Sequence, residues 1–182
     1  MTKASFAGAA LAMWLASGSA AAIDGISVTG GIGAGSSEGE GTRLARLAVQ
    51  WDWNKRWFEG DNWHLGGYWN ADVAYWKRDA LPGQNGHLYE IGFTPVFRLQ
   101  QSDLEGFYLE GGVGAFLLSE TSLGDRDFST SFQFGSQFGF GYRFGAKHAF
   151  DVSYVYQHVS NAGIKKPNDG MDFHEVRLQY HF

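Results

Sequence analysis

From about residue 24 onward, apolar residues alternate with small or polar ones over stretches of about ten residues. Tyr89, Ile91, Phe93, Pro95, Phe97 and Leu99 fall on one side of such a stretch, and Glu90, Gly92, Thr94 and Arg98 on the other. A side-chain period of two belongs to a β-strand with two unlike faces. Phe132, Phe134, Phe138, Phe140, Tyr142 and Phe144 repeat the pattern against Gln133, Gly135, Gln137, Gly139, Gly141 and Arg143. Leu47, Val49, Trp51 and Trp53 do so against Ala48, Gln50 and Asp52. Eight segments are predicted, at 24–35, 42–53, 63–76, 87–100, 106–119, 128–144, 147–160 and 172–182. Most are long enough for a tilted strand to cross a bilayer.

The face that carries Phe and Trp is too bulky to fill the bore of an eight-stranded barrel, which side chains already pack full. The opposite face, built from many of the 26 glycines and scattered polar groups, fits inside. The alternative of a soluble barrel with its apolar face inward is disfavoured on the same ground. The sequence therefore predicts an all-β fold, an eight-stranded antiparallel transmembrane β-barrel of the outer-membrane type. Trp51, Trp53, Trp57, Trp63, Trp69 and Trp76 cluster near strand ends, as an interfacial aromatic girdle would. Val176, Leu178, Tyr180 and Phe182 end the chain on an alternating aromatic strand, and pairing it with the first strand removes both open edges.

Residues 1–22 read as a cleaved secretory signal peptide, with Lys3, a run of uncharged residues and a small-residue cleavage site at Ala20-Ala21-Ala22. The barrel is then 23–182, placed in the bacterial outer membrane. Both termini lie in the periplasm, so the 36–41, 77–86 and 120–127 connections and the one joining the last two strands face outward. The 54–62 connection is long for a periplasmic turn. The net charge of −5 argues against a nucleic-acid partner. With no cysteine, thiol nucleophiles and thiolate metal sites are excluded, and the histidines lack metal-ligand spacing.

The last hairpin breaks the apolar rule of the outer face. Phe150, Val152, Tyr154 and Tyr156 share a parity that continues to His158 and Ser160. Val176, Leu178, Tyr180 and Phe182 share a parity that runs back to His174 and Asp172. The other six strands put almost nothing ionisable on this face. His158 and Ser160 should stand about 6.6 Å apart along one face, and the next strand lies about 4.8 Å away. A histidine between a serine and an acid is the arrangement that activates a hydroxyl nucleophile. Asp172 is favoured as the acid; Glu175 has inward parity, and Asp169 lies in a loop. His174 is an interfacial residue or a substitute base.

His158-Val159-Ser160-Asn161-Ala162-Gly163, with Pro167-Asn168-Asp169-Gly170 after it, resembles the signature of the outer-membrane lipid A 3-O-deacylases, the PagL family. Trp51-Asp52-Trp53, Gly67-Tyr68-Trp69 and Pro95-Val96-Phe97 extend the resemblance. It implies an eight-stranded barrel enzyme that hydrolyses the ester-linked 3-hydroxyacyl chain at position 3 of lipid A, with lipopolysaccharide as substrate. It also implies an active site towards the outer leaflet, among membrane lipids, and no cofactor. His158 would be the base and Ser160 the nucleophile. The family acid, typically a glutamate, falls on Asp172, one methylene shorter. Asn161, Ala162, Gly163 and Asn168 are the candidates for binding the oxyanion, and Lys165 and Lys166 for contacting a lipid A phosphate. A homodimer is compatible with such a barrel. The competing expectations are a non-catalytic small barrel with a structural or surface-binding role, and a barrel acyltransferase or phospholipase that takes its lipid into the lumen.

Overall fold

A computed structural model describes residues 22–34 and 41–182. The expected signal peptide lies outside the described residues except for Ala22, and so does the 36–41 connection except for Gly41. The eight long strands are β1 (Gly25–Gly33), β2 (Arg43–Asp52), β3 (Trp63–Lys77), β4 (His87–Gln101), β5 (Gly106–Leu118), β8 (Phe132–Phe144), β9 (Phe150–Ser160) and β10 (Met171–His181). They close antiparallel in the order β1-β10-β9-β8-β5-β4-β3-β2. Between β5 and β8 a two-residue hairpin, β6 (Ser122–Leu123) with β7 (Arg126–Asp127), folds a connection that alternation could not foresee. It also shortens β8 relative to the expected 128–144, since Phe128 is drawn into the barrel mouth, fully buried. At the other end, β8 and β9 are joined by a short 3-10 turn, Ala146–His148, so β9 starts at Phe150 rather than 147.

Each strand buries alternate residues, and the buried set is the polar one. Arg46, Gln50, Asp72, Glu90, Arg98, Glu110, Asp151, Gln157, Glu175 and Arg177 all point into the bore. Ile91, Phe138, Phe140, Tyr142, Val176 and Leu178 stand exposed on the outer wall. The inward charges are paired, as burial demands. The Arg46 guanidinium reaches Glu175 at 2.8 Å, Glu90 at 3.0 Å and Asp72 at 3.4 Å, and Gln157 accepts from it at 2.7 Å. Nearer the end that carries the Ala146–His148 turn, Arg98 holds Glu110 at 2.8 Å and Asp151 at 3.2 Å. Tyr108 and His181 bond the same Asp151 at 2.9 and 2.8 Å. Inward glycines make room for these large groups. A Cβ on Gly141 would collide with Tyr108 Oη, and one on Gly135 with the Phe116 ring.

The end of the bore that carries the 78–86 and 161–170 loops is different. Leu44, Trp76, Leu88, Leu118, Leu123, Phe128, Val159, Met171 and Phe173 form an apolar cluster that closes it. Trp76 is therefore not a girdle residue: it is fully buried and packs edge-on to Phe173, with centroids 4.7 Å apart. Strand parity places it inside, since Tyr75 is outside, and parity overrides the tendency of tryptophan to sit at an interface. At the opposite end, the long 54–62 connection folds back on the barrel. Trp57 bridges to Leu65, and Trp53 packs against Trp57, Trp69 and Phe97.

Candidate active site

The last hairpin of the barrel, β9 with β10, is held in register from within. Val159 opposes Met171, and Gln157 opposes Phe173. All four are buried, three of the four in the apolar cluster at the barrel mouth. The residues between them must then point outward. That fixes His158 directly opposite Asp172 on the outer wall. His158 Nδ1 and Asp172 Oδ1 are 2.7 Å apart, with about half of the histidine side chain exposed. A carboxylate can only accept, so in the neutral imidazole Nδ1 carries the proton and Nε2 the lone pair.

Ser160 lies two residues further along β9 on the same side, and its Oγ accepts the Ala162 N–H at 3.4 Å. Among the described residues no hydrogen bond joins it to His158. Glu175 is buried on the opposite face, paired with Arg46. Asp169 accepts the Asp127 N–H at 2.7 Å, which ties the site loop to β7. His174 sits outside between Tyr154 and Tyr156, and its Nδ1 shares a hydrogen bond with Tyr154 Oη.

The 161–170 loop is organised by Asn161, which is fully buried. Its Nδ2 donates to Phe128 O at 2.9 Å and Lys165 O at 2.8 Å, and its Oδ1 accepts the Gly163 N–H at 2.9 Å. Its own N–H donates to Asn168 Oδ1 at 3.0 Å. Asn161 and the Gly163 N–H are thus engaged within the loop. The Asn168 Nδ2 group makes no hydrogen bond among the described residues, and the Ala162 N–H makes only the long contact to Ser160. Lys165 and Lys166 are exposed on the loop. Arg126 of β7 donates to Asp169 O at 3.0 Å, so the β6–β7 hairpin braces this loop.

Two residues of the site have no role in the sequence expectations. Ser136 of β8 opposes His158 on the side away from Asp172 and is exposed among the outward phenylalanines. Its break in the Phe132, Phe134, Phe138, Phe140 series was the available signal. Gly170, at φ +64°, lies against both His158 and Ser160. A Cβ there would come within 3.3 Å of His158 Cε1 and 3.5 Å of Ser160 Cβ.

A closed eight-stranded barrel with a polar, paired interior and an apolar outer wall defines the class of outer-membrane β-barrels. Residues 43–181 match the family described as lipid A 3-O-deacylase (PagL). The chain belongs to that family, and is thereby an outer-membrane enzyme of the ester-hydrolase class. It is 30% identical to the lipid A deacylase PagL of Pseudomonas aeruginosa over 76% of this chain and 78% of that one. It is 31% identical to the lipid A deacylase PagL of Bordetella bronchiseptica over 79% and 80%. The crystal structure of the outer membrane enzyme PagL superposes with a TM-score of 0.76 at 28% identity, covering 87% of this chain and 99% of that one. Neisserial surface protein A, 15% identical with a TM-score of 0.53 over 87% of this chain and 96% of that one, shares the fold.

Proposed function

We propose that the protein hydrolyses the ester-linked 3-hydroxyacyl chain at position 3 of lipid A, on the lipid-facing exterior of the barrel, with Ser160, His158 and Asp172 as its triad. The observation that carries this reading is the 2.7 Å His158–Asp172 contact on the outer wall of a chain of this family. Lipid A enters laterally from the outer leaflet, with its acyl chains along the aromatic wall of β8 and β9. A side-chain rotation brings Ser160 Oγ to His158 Nε2, a fast motion for exposed groups that in many unliganded enzymes completes only with substrate. His158 takes the hydroxyl proton as Ser160 attacks the ester carbonyl, then returns a proton to the sugar oxygen as the acyl–enzyme forms. Water, deprotonated by the same imidazole, releases the hydroxy fatty acid.

Asn168 Nδ2 and the Ala162 N–H are the donors left to stabilise the oxyanion. Asn161 supports them by fixing the loop. Lys165 and Lys166 are placed on the loop to meet a lipid A phosphate.

The short acid is tested directly. Asp172→Asn should lower deacylation by about 10²–10⁴-fold, because an amide no longer holds the required tautomer. Asp172→Glu should keep most of it. Equal activity of Asp172→Asn and the parent would remove Asp172 from the triad. Gly170→Ala should slow turnover about tenfold to a hundredfold, since the added methyl crowds His158 and Ser160. Unchanged turnover in that variant would show that the loop yields freely. Parallel assays with lipid A and with phospholipid test the substrate class: cleavage of phospholipid alone would contradict the proposal.

A further inference from the structure

The hydrogen bonds inside the 161–170 loop give it a shape but not a place. Asn161 holds Lys165 O and the Gly163 N–H, and the Ile164 N–H donates to Asn161 O at 3.1 Å. The loop is placed by three consecutive residues of the β5–β8 connection, Arg126-Asp127-Phe128. At its start, Phe128 O accepts from Asn161 Nδ2 at 2.9 Å. At its end, the Asp127 N–H donates to the Asp169 carboxylate at 2.7 Å, and the Asp169 N–H to Asp127 O at 3.3 Å. Arg126 Nη1 donates to Asp169 O at 3.0 Å and to Gly170 O at 3.4 Å. One short segment thus holds both feet of the loop. Each foot adjoins a donor proposed for the oxyanion: Ala162 follows Asn161, and Asn168 precedes Asp169.

The holding segment is itself fixed. Leu123 and Phe128 are fully buried in the apolar cluster that closes the bore. Ser122 pairs with Asp127 and Leu123 with Arg126, and the Phe128 N–H donates to Thr121 O at 2.8 Å. Asp125 meets Arg78 at 2.8 Å, and the Gly124 N–H donates to Asn85 O at 2.6 Å, which ties the β6–β7 hairpin to the 78–86 connection. Closing the bore calls for Leu123 and Phe128 alone. Arg126 and Asp127 add nothing apolar, and the bonds they make to Asp169 and Gly170 act on the loop that follows Ser160. Gly170 is the point where those bonds bear on the chemistry, because its backbone lies against His158 and Ser160. A shift of about 1 Å there alters the gap that Ser160 Oγ must cross to reach His158 Nε2, and misplacement of that size costs up to about a hundredfold in rate.

We infer, on the strength of the Ser160–His158–Asp172 reading, that Arg126 and Asp169 are positioning residues for deacylation. Neither touches the ester. Together they hold Gly170 against the nucleophile and base and keep the Asn168 end of the loop in place. Asp169 works as a hydrogen-bond acceptor for the Asp127 N–H and takes no part in proton transfer.

Steady-state deacylation of lipid A in mixed micelles by Arg126→Gln, Asp169→Ala and Asp169→Asn tests these roles. Arg126→Gln and Asp169→Ala should lower kcat about tenfold to a hundredfold with KM within about threefold of the parent, since the lost bonds bear on the transition state and not on lipid binding. Asp169→Asn keeps a side-chain oxygen for the Asp127 N–H and should keep most of the parent's kcat. Asp169 is exposed, so its two variants should share one urea midpoint, and any difference in their rates is then a matter of loop placement. The positioning roles are overturned if Arg126→Gln and Asp169→Ala turn over like the parent, or if kcat falls only in proportion to the folded fraction. They are overturned too if Asp169→Asn is as slow as Asp169→Ala, because the carboxylate would then act in proton transfer. Ser160→Ala separates the two levels. If it is inactive while Arg126→Gln and Asp169→Ala match the parent, the positioning roles alone fall; if it is fully active, the catalytic reading falls and they fall with it.

Discussion

Replacing Ser160 by alanine should leave lipid A at its starting mass, with deacylation reduced by about 10⁴-fold or more. Loss of a serine nucleophile removes covalent catalysis altogether, and only substrate binding and oxyanion stabilisation remain. The barrel itself should be untouched, since the serine is partly exposed and its Oγ takes part in one long hydrogen bond. Ser136→Ala is the informative contrast. Ser136 is the hydroxyl opposed to His158 across the sheet, and its removal should leave most of the activity. If Ser136→Ala were silent and Ser160→Ala inactive, the nucleophile would be assigned. The reverse result would move it to β8.

The largest expected effect on stability lies inside the barrel. Arg46→Met should destabilise the folded protein by about 3–5 kcal/mol, because Asp72, Glu90 and Glu175 would remain buried with their shared cation gone. The effect should appear as a lower urea midpoint for unfolding of the barrel from lipid vesicles. Catalytic groups are not touched, although Glu175 lies on β10 between site residues and apolar residues of the outer wall. A midpoint equal to that of the parent would mean that the carboxylates find other partners or take up protons without cost.

The barrel was legible because a period of two is a local property. Alternation along 87–101 or 132–144 needs no knowledge of neighbouring strands, and it predicts which side chains enter the bore. The same parity carried the site, since it puts His158, Ser160 and Asp172 outside and Glu175 inside. Where a residue-type habit competed with parity, as at Trp76, parity held. What stayed hidden depends on contacts between segments distant in sequence. The Ser136–His158 opposition is set by strand register. The brace between Arg126 and the site loop, and the engagement of Asn161 by Phe128 O, are loop-to-loop contacts with no periodic signal. Asn161 illustrates the consequence. Its place next to Ser160 suggested an oxyanion donor, whereas its amide is spent on holding the loop in shape.

Mass spectrometry of lipid A after incubation with the purified protein is the most direct test of an exterior ester hydrolase with this specificity. The expected result is the loss of a single 3-hydroxyacyl group, from position 3, dependent on Ser160. Lipid A of unchanged mass, or loss of a chain from another position, would contradict it.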